Sequence, residues 1–325
     1  MFNKPQKNVK IFALSAFKGW ILEGQFKDAA TVSNVRLVVR YIPSQKIHLL
    51  RFVDTFQFLI ALRTNRPCLF VNQTTFFFAN RIKFMRFNPE LCTVYYSHYS
   101  DNGLGRSQQA KLLLKCKKIM VQSKQEAKKL IMDGIPRSKI SVIYGGINRQ
   151  IFYPCVRPKT KAELANGGYV IVVGDCKDRK NPSQTIEVIQ KMKNQKFIIH
   201  GRGWQKFLNE NLIKPPINLE LQKFSLKNQP ALIRNASVFL SLSLIEGGPY
   251  PTLEALASGT PVVVTETGWN KEVVPKEFGI VLHINTTTES IINAIQKMKN
   301  MKIKASKKDL LKGKFTWEEF ADKVF

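Results

Sequence analysis

The stretch VFLSLSLIEGGPYPTLEALASGTPVVVT, residues 238–265, constrains this chain more than any other. Two apolar runs of strand length, 238–243 and 262–265, enclose a glycine-rich loop and a short run of helix formers. Pro251 suits the start of a helix and Gly259 suits its end. The segment therefore reads as strand, loop, helix, strand. Strands joined through a helix run parallel, and parallel sheets need helices on both faces. One such unit commits the region to a layered α/β domain. Glu246 then lies at the carboxyl end of a strand, where open parallel sheets bind ligands. Glu254 falls in the first turn of the helix. The amides of Thr252 and Leu253, at that helix start, favour an anion by about 0.3–1 kcal/mol when exposed. Amides for a phosphate beside carboxylates for hydroxyls suit a sugar nucleotide.

The rest of the chain repeats the alternation. Residues 10–14, 35–42, 68–71, 94–96, 119–121 and 140–144 read as strands. Helices are expected over 20–30, 48–63, 105–116 and 124–132, the last opened by a Ser123/Glu126 capping box. Turn formers crowd residues 145–165, which places an interdomain linker there. Beyond it, strands are expected at 169–173, 196–200, 219–221 and 279–283. Helices are expected at 182–192, 228–235, 287–299, 306–311 and 317–324. The fold class is α/β, with two successive Rossmann-like, doubly wound domains over residues 1–150 and 151–325.

The segment around Glu246 resembles the E-x7-E motif of the retaining glycosyltransferases of family 4, which have the GT-B fold of two Rossmann-like domains facing a cleft. Glu246 and Glu254 match the two glutamates. Gly247, Gly248 and Pro251 lie between them, and Ser258-Gly259-Thr260-Pro261 follows as in that family. GGINRQIFYP (145–154) is similar to the stretch entering the family's linker, and NASVFLSLSLIEGG (235–248) is similar throughout. VVGDCKDRKNP (172–182) resembles the first loop of the carboxyl domain, with Lys180 at the matching lysine. FTWEEFADKVF resembles the terminal helix that crosses back to the first domain. The likeness runs from about Tyr95 to the end. It is weak over residues 1–83, where the early double-glycine loop is not visible and only Gly19 and Gly24 stand near its place.

The resemblance implies retaining transfer of a sugar from a nucleoside-diphosphate sugar to the hydroxyl of a glycan or lipid-linked acceptor, with no bound metal. By the same resemblance Glu246 contacts the donor sugar, Glu254 takes the ribose hydroxyls and Lys180 holds the diphosphate. His98, in YSHYSDNG, matches a histidine that faces donor sugar and acceptor. Glu246, His98 and Lys180 form the expected catalytic set. Phe224 aligns with the base-binding loop. The residues add more donor contacts. Arg179 offers a planar fork for phosphate. Gly247 and Gly248 let backbone approach a sugar closely. Arg202, in HGRG with His200, sits at a strand end. One departure stands out: where the family has an arginine directly after the glycine of YVIVVG, this chain has Asp175. Arg179 is expected to replace that arginine, with Arg202 in reserve, and Asp175 to accept hydrogen bonds from Arg179 or Lys177.

Other classes find little support. There is no D-x-D, no zinc-like His/Cys spacing, no G-x-x-x-x-G-K-[ST] and no G-x-S-x-G. Neighbouring readings are a nucleotide-sugar epimerase, a phosphorylase, or a non-catalytic anion-binding protein. The formal net charge is +28, and residues 1–150 hold most of it, with 25 Lys+Arg against 7 Asp+Glu. Such a field draws polyanions and anionic membranes alike. No nucleic-acid motif accompanies it, so specific nucleic-acid binding is not expected. In FFFANRIKFMRF (76–87), Phe78, Ile82 and Met85 share a helical face expected to dock on the sheet. Phe77, Phe84 and Phe87, beside Arg81, Lys83 and Arg86, have two readings: packing within the domain, which is preferred for these rings, and peripheral contact with an anionic membrane. Cys68, Cys92, Cys116, Cys155 and Cys176 form no C-x-x-C pair, and no apolar run is long enough to span a bilayer. A cytoplasmic protein with reduced, buried thiols is expected.

Overall fold

The computed structural model describes residues 10–15, 21–33, 35–41, 60, 67–81, 87–99, 103–154, 168–300, 311 and 314–325. The chain divides into two compact units, Met1–Gly146 with Phe315–Phe325, and Ile147–Lys314. In the first unit, strands β1 (Lys10–Ser15), β2 (Arg36–Tyr41), β3 (Cys68–Phe70), β4 (Cys92–Tyr96), β5 (Lys118–Val121) and β6 (Ile140–Val142) form one parallel sheet in the order β2-β1-β3-β4-β5-β6. Helices α1 (Ile21–Val32), α2 (Gln73–Arg81), α3 (Arg106–Leu113) and α4 (Lys124–Met132) fall between the strands. Successive strand residues feed opposite faces, as the pleat dictates. Phe70, Val94 and Ile119 join one buried cluster, whereas Leu69, Tyr95 and Met120 join the other. Ser123 caps α4 by accepting from the Glu126 amide at 3.1 Å, while the Glu126 carboxylate pairs with Lys129 at 3.1 Å.

The second unit carries β7 (Tyr169–Val173), β8 (Lys196–His200), β9 (Leu219–Gln222), β10 (Val238–Ser241), β11 (Val262–Thr265) and β12 (Gly279–Leu282). Its helices are α5 (Pro182–Lys191), α6 (Trp204–Glu210), α7 (Gln229–Asn235), α8 (Tyr250–Ala257), α9 (Asn270–Val273) and α10 (Thr288–Asn300). The parallel sheet runs β12-β11-β10-β7-β8-β9. The chain starts at β7, moves outward through β8 and β9, then returns to β10 on the other side of β7. The loops after β7 and β10 therefore diverge at a topological switch point, and they carry Lys180 and Glu246. Helix α6 was not anticipated. It is short, and only Trp204 and Leu208 are buried, one turn apart.

The last helix, α11 (Trp317–Val324), belongs to the first unit. Thr316 caps it by accepting from the Glu319 amide at 3.1 Å. Phe320 is buried against Phe26 and Tyr95, at ring distances of 5.5 and 6.3 Å. Burying a ring of that size contributes about 1.5–3 kcal/mol. This return matches the expectation for the terminal FTWEEFADKVF.

The expected face of the phenylalanine run is corrected. Asn72 caps α2 by accepting from the Thr75 amide at 3.0 Å. Phe76 and Phe77 then enter the core, Phe87 packs against Phe70 and Phe76, and Phe78 points outward with 41% exposure. Phe77 is thus a core residue, and Phe87 is half-buried against the core. Ile82, Lys83, Phe84, Met85 and Arg86 lie outside the described residues, as do most of the helices expected over 48–63 and 306–311, residues 155–167 of the linker with Cys155, and Gly19. Cys68, Cys92 and Cys116 are buried, as expected of core thiols. Among the described residues, no helix is long and apolar enough to cross a membrane.

Gly146 closes the first unit, and Trp317 lies directly on it. A Cβ built on Gly146 meets the Trp317 ring at 2.5 Å and its backbone Cα at 3.0 Å. Gly146→Ala should therefore push α11 off Phe26 and lower stability by about 1–3 kcal/mol. Urea unfolding of the purified variant checks this, and an unchanged midpoint would show that the helix yields without cost.

Candidate functional site

The site is assembled by two loops at the switch point. After β7, Gly174 adopts φ +133°, a backbone conformation that favours glycine. A Cβ on Gly201 would lie 2.0 Å from the Gly174 carbonyl oxygen, so the loops after β7 and β8 touch only because residue 201 has no side chain. Backbone bonds continue the pairing. The Gly174 amide donates to His200 at 3.0 Å and the Cys176 amide donates to Arg202 at 2.8 Å. A single turn, Asp178–Lys180, then leads through Asn181 (φ 52°) into α5 at Pro182. This turn presents Arg179 and Lys180 toward the loop after β10.

There they meet Glu246. The Lys180 ammonium pairs with Oε1, and Arg179 Nη1 lies 2.8 Å from Oε2. Arg179 also donates to the Ile245 carbonyl at 3.2 Å, while its own carbonyl accepts from the Leu244 amide at 2.8 Å. Glu246 is only 9% exposed. Burial is the strongest influence on its carboxyl and pushes the pKa up. Lys180, Arg179 and the hydrogen bonds from Lys180 and Ser243 more than offset that and hold it below the ordinary value. Glu246 is therefore a buried, ionised carboxylate at neutral pH.

Asp175 takes a different partner from either expected one. Its carboxylate holds Arg202, accepting from the Arg202 amide at 3.0 Å and from Nη2 at 2.7 Å. The reason is the paired run of the two loops, which brings residues 175 and 202 side by side, whereas Arg179 is carried away to Glu246. The Arg202 guanidinium also lies 5.7 Å from the Phe224 ring centre, and the His200 ring lies against the same Phe224 ring, tilted, at 5.4 Å between centres. His200 is fully buried, with Nε2 at 3.1 Å from the Ser225 amide. These four residues gather at the carboxyl ends of β7, β8 and β9.

Gly248 and Gly268 allow close packing around the loop after Glu246. A Cβ on Gly248 would meet the Trp269 ring at 2.3 Å, and one on Gly268 would meet the Gly247 carbonyl at 2.6 Å. The loop after β11 thus packs directly against the glycine-rich loop, and Trp269 is fully buried there. Helix α8 begins at Tyr250 with Pro251 second, so Glu254 lies in the second turn rather than the first. Thr252 and Leu253 are fully buried, and the Thr252 amide donates to the Pro249 carbonyl at 3.0 Å. That amide is committed to the turn instead of being open to an anion.

Glu254 accepts a hydrogen bond from Gln229 Nε2 at 2.6 Å. Burial pushes its pKa up to about 7, and the Gln229 bond only partly counters this. Gln229, 25 residues upstream on α7, had no signal in the sequence, and neither did Trp269. In the first unit, His98 follows β4 directly, as expected. Its carbonyl accepts from the side chain of Gln73 at 2.7 Å, another residue without a sequence signal.

The raised pKa of Glu254 has a definite sign. The folded chain binds this proton more tightly than the unfolded chain, so the stability tied to it is full below about 4.5 and is lost as pH rises through about 7. Glu254→Gln keeps the acceptor for Gln229 and never ionises. Its melting temperature should match the parent at pH 4.5 and exceed it at pH 8. Parallel melting curves across that range check this, and a constant offset would contradict it.

The comparisons with known proteins agree with this construction. The model described as Glycosyl transferases group 1 matches residues 158–310, and that described as Glycosyltransferase Family 4 matches residues 15–151. An Escherichia coli UDP-Gal:alpha-D-GlcNAc-diphosphoundecaprenol alpha-1,3-galactosyltransferase is 28% identical over 182 residues, covering 51% of this chain and 46% of that protein. The chain thus spans about half the length of that curated relative. Among solved structures, Anabaena HepE in complex with UDP-glucose is 15% identical, with a TM-score of 0.74 over 98% of both chains. Sucrose-phosphate synthase from Thermosynechococcus elongatus is 15% identical, with a TM-score of 0.72 over 98% of this chain and 97% of that one. These likenesses identify the fold as GT-B. The two family models share the chain between its two units, so the chain carries a Glycosyltransferase Family 4 domain followed by a Glycosyl transferases group 1 domain.

Proposed function

We propose that this chain moves a sugar from a nucleoside-diphosphate sugar to an acceptor hydroxyl, with retention of anomeric configuration and without a bound metal. The observation that carries the proposal is the meeting of Arg179, Lys180 and Glu246 at the switch point of the second sheet. Two cations at the carboxyl ends of the strands suit a departing diphosphate, whose growing charge must be stabilised. Glu246, ionised and fixed by those cations, suits the hydroxyls of the donor sugar. Glu254 suits the ribose, as the resemblance implies, and His98 takes its role on donor sugar and acceptor from the same resemblance. Retention rests on the E-x7-E resemblance. The E. coli relative is named for a UDP-sugar donor and a diphosphoundecaprenol-linked acceptor. A UDP-sugar and a lipid-linked acceptor are accordingly the first pair to assay, with the product's anomeric configuration read by NMR.

Arg179 takes the place of the arginine that Asp175 displaces, because Asp175 neutralises Arg202 and leaves Arg179 aimed at the site. A charge-assisted hydrogen bond is worth about 1.5–3 kcal/mol. Arg179→Ala should therefore weaken nucleoside-diphosphate binding roughly tenfold to a hundredfold and leave the bare nucleoside almost unaffected. Calorimetric titration of both ligands checks this, and equal losses for the two would remove Arg179 from the diphosphate contacts. Transfer should also persist in excess EDTA. Loss of activity restored by Mn²⁺ or Mg²⁺ would overturn the metal-independent reading.

A further inference from the structure

We propose that Gln73 is a positioning residue for His98, acting through the backbone of the loop after β4. The inference rests on the glycosyltransferase reading and on the role that reading gives His98. Gln73 is the first residue of α2, and only 2% of it is exposed. Asn72 binds the next turn of the helix, which leaves the Gln73 side chain to turn toward the end of β4. There its amide grips the loop at two points. Oε1 accepts from the Ser97 amide at 3.2 Å, and Nε2 donates to the His98 carbonyl at 2.7 Å. The Ser97 hydroxyl lies 3.4 Å from both ends of the amide.

The chemistry of this grip is selective. Only a neutral carboxamide offers an acceptor and a donor in one plane, matched to a backbone N–H and the C=O of the next residue. Aspartate or glutamate lacks the donor, lysine lacks the acceptor, and a hydrophobic residue leaves both backbone groups without this partner. β4 ends at Tyr96, and just beyond it Gln73 holds the backbone of residues 97 and 98 with its side chain. Reacting groups must be placed to within fractions of an ångström. A backbone carbonyl held at the histidine itself sets where its imidazole stands.

The test is a double-mutant cycle on transfer rate, using Gln73→Ala, Gln73→Glu and His98→Ala in the full chain. Gln73→Ala and Gln73→Glu should each lower kcat roughly tenfold to a hundredfold, with KM for the nucleotide sugar nearly unchanged. In the His98→Ala background, Gln73→Ala should change the residual rate by less than about twofold, because residues acting through one group are not additive. Losses that multiply across the cycle would overturn the proposal, as would full activity of His98→Ala. If His98→Ala leaves no measurable rate, the imidazole is followed directly by NMR. The His98 Cε1–H resonance should move in both Gln73 variants while those of His48, His200 and His283 stay in place, and an unmoved His98 signal would overturn the assignment. Glutamate keeps the size and the acceptor, so its folded state separates a positioning effect from a failure to fold. An inactive wild-type chain would remove the glycosyltransferase reading itself, whereas an active one with multiplying losses would remove only the role of Gln73.

Discussion

The second unit depends on one interaction, the buried carboxylate of Glu246 held between Lys180 and Arg179. An isolated ion at that depth is costly, and removing one partner of a buried pair typically costs about 3–5 kcal/mol because the other charge stays uncompensated. Here the partners come from opposite sides of the switch point, one loop following β7 and the other following β10. The ion triad therefore joins two loops that topology sends apart. The backbone contacts reinforce it, since Leu244 donates to Arg179 and Arg179 donates to Ile245. Stability and the candidate chemistry rest on the same three side chains.

Much of this was legible in the sequence because it is local. The βαβ unit around Glu246 announces itself by apolar runs, a proline and a glycine within 28 residues. Gly259, with φ +69°, ends its helix as expected. The alternation of strands and helices was legible for the same reason, and the position of Lys180 followed from resemblance. What stayed hidden is tertiary. Asp175 was expected to hold a cation on its own loop, yet it holds Arg202, because two glycines let the loops after β7 and β8 run side by side. The inward face of α2 was missed because it is set by tertiary contacts, Phe76 packing on Phe70 and Phe87, which the spacing of three consecutive phenylalanines does not reveal. Gln73, Gln229 and Trp269 carry no local pattern, and each matters only through a residue at least 20 positions away.

Two of those hidden residues do related work. Gln73 and Gln229 are both buried, and each spends its amide on a group that the site reading requires. In each unit the carboxamide fixes geometry without adding charge. Lysine in place of Gln229 would hold Glu254 as firmly but would force it to ionise. The choice of glutamine keeps the position of that carboxyl while leaving its proton free to exchange near neutrality.

The two glutamates of the motif thus answer to opposite environments although they share one loop and helix. Glu246 faces two cations and is held ionised below its ordinary pKa. Glu254 faces a neutral amide and rises to about 7. A carboxylate so close to its sequence partner would be expected to behave like it on sequence grounds alone. The fold instead separates them by giving each a different neighbour, cations from the loop after β7 for Glu246 and an amide from α7 for Glu254, and a repeated residue type becomes one fixed charge and one proton-dependent one.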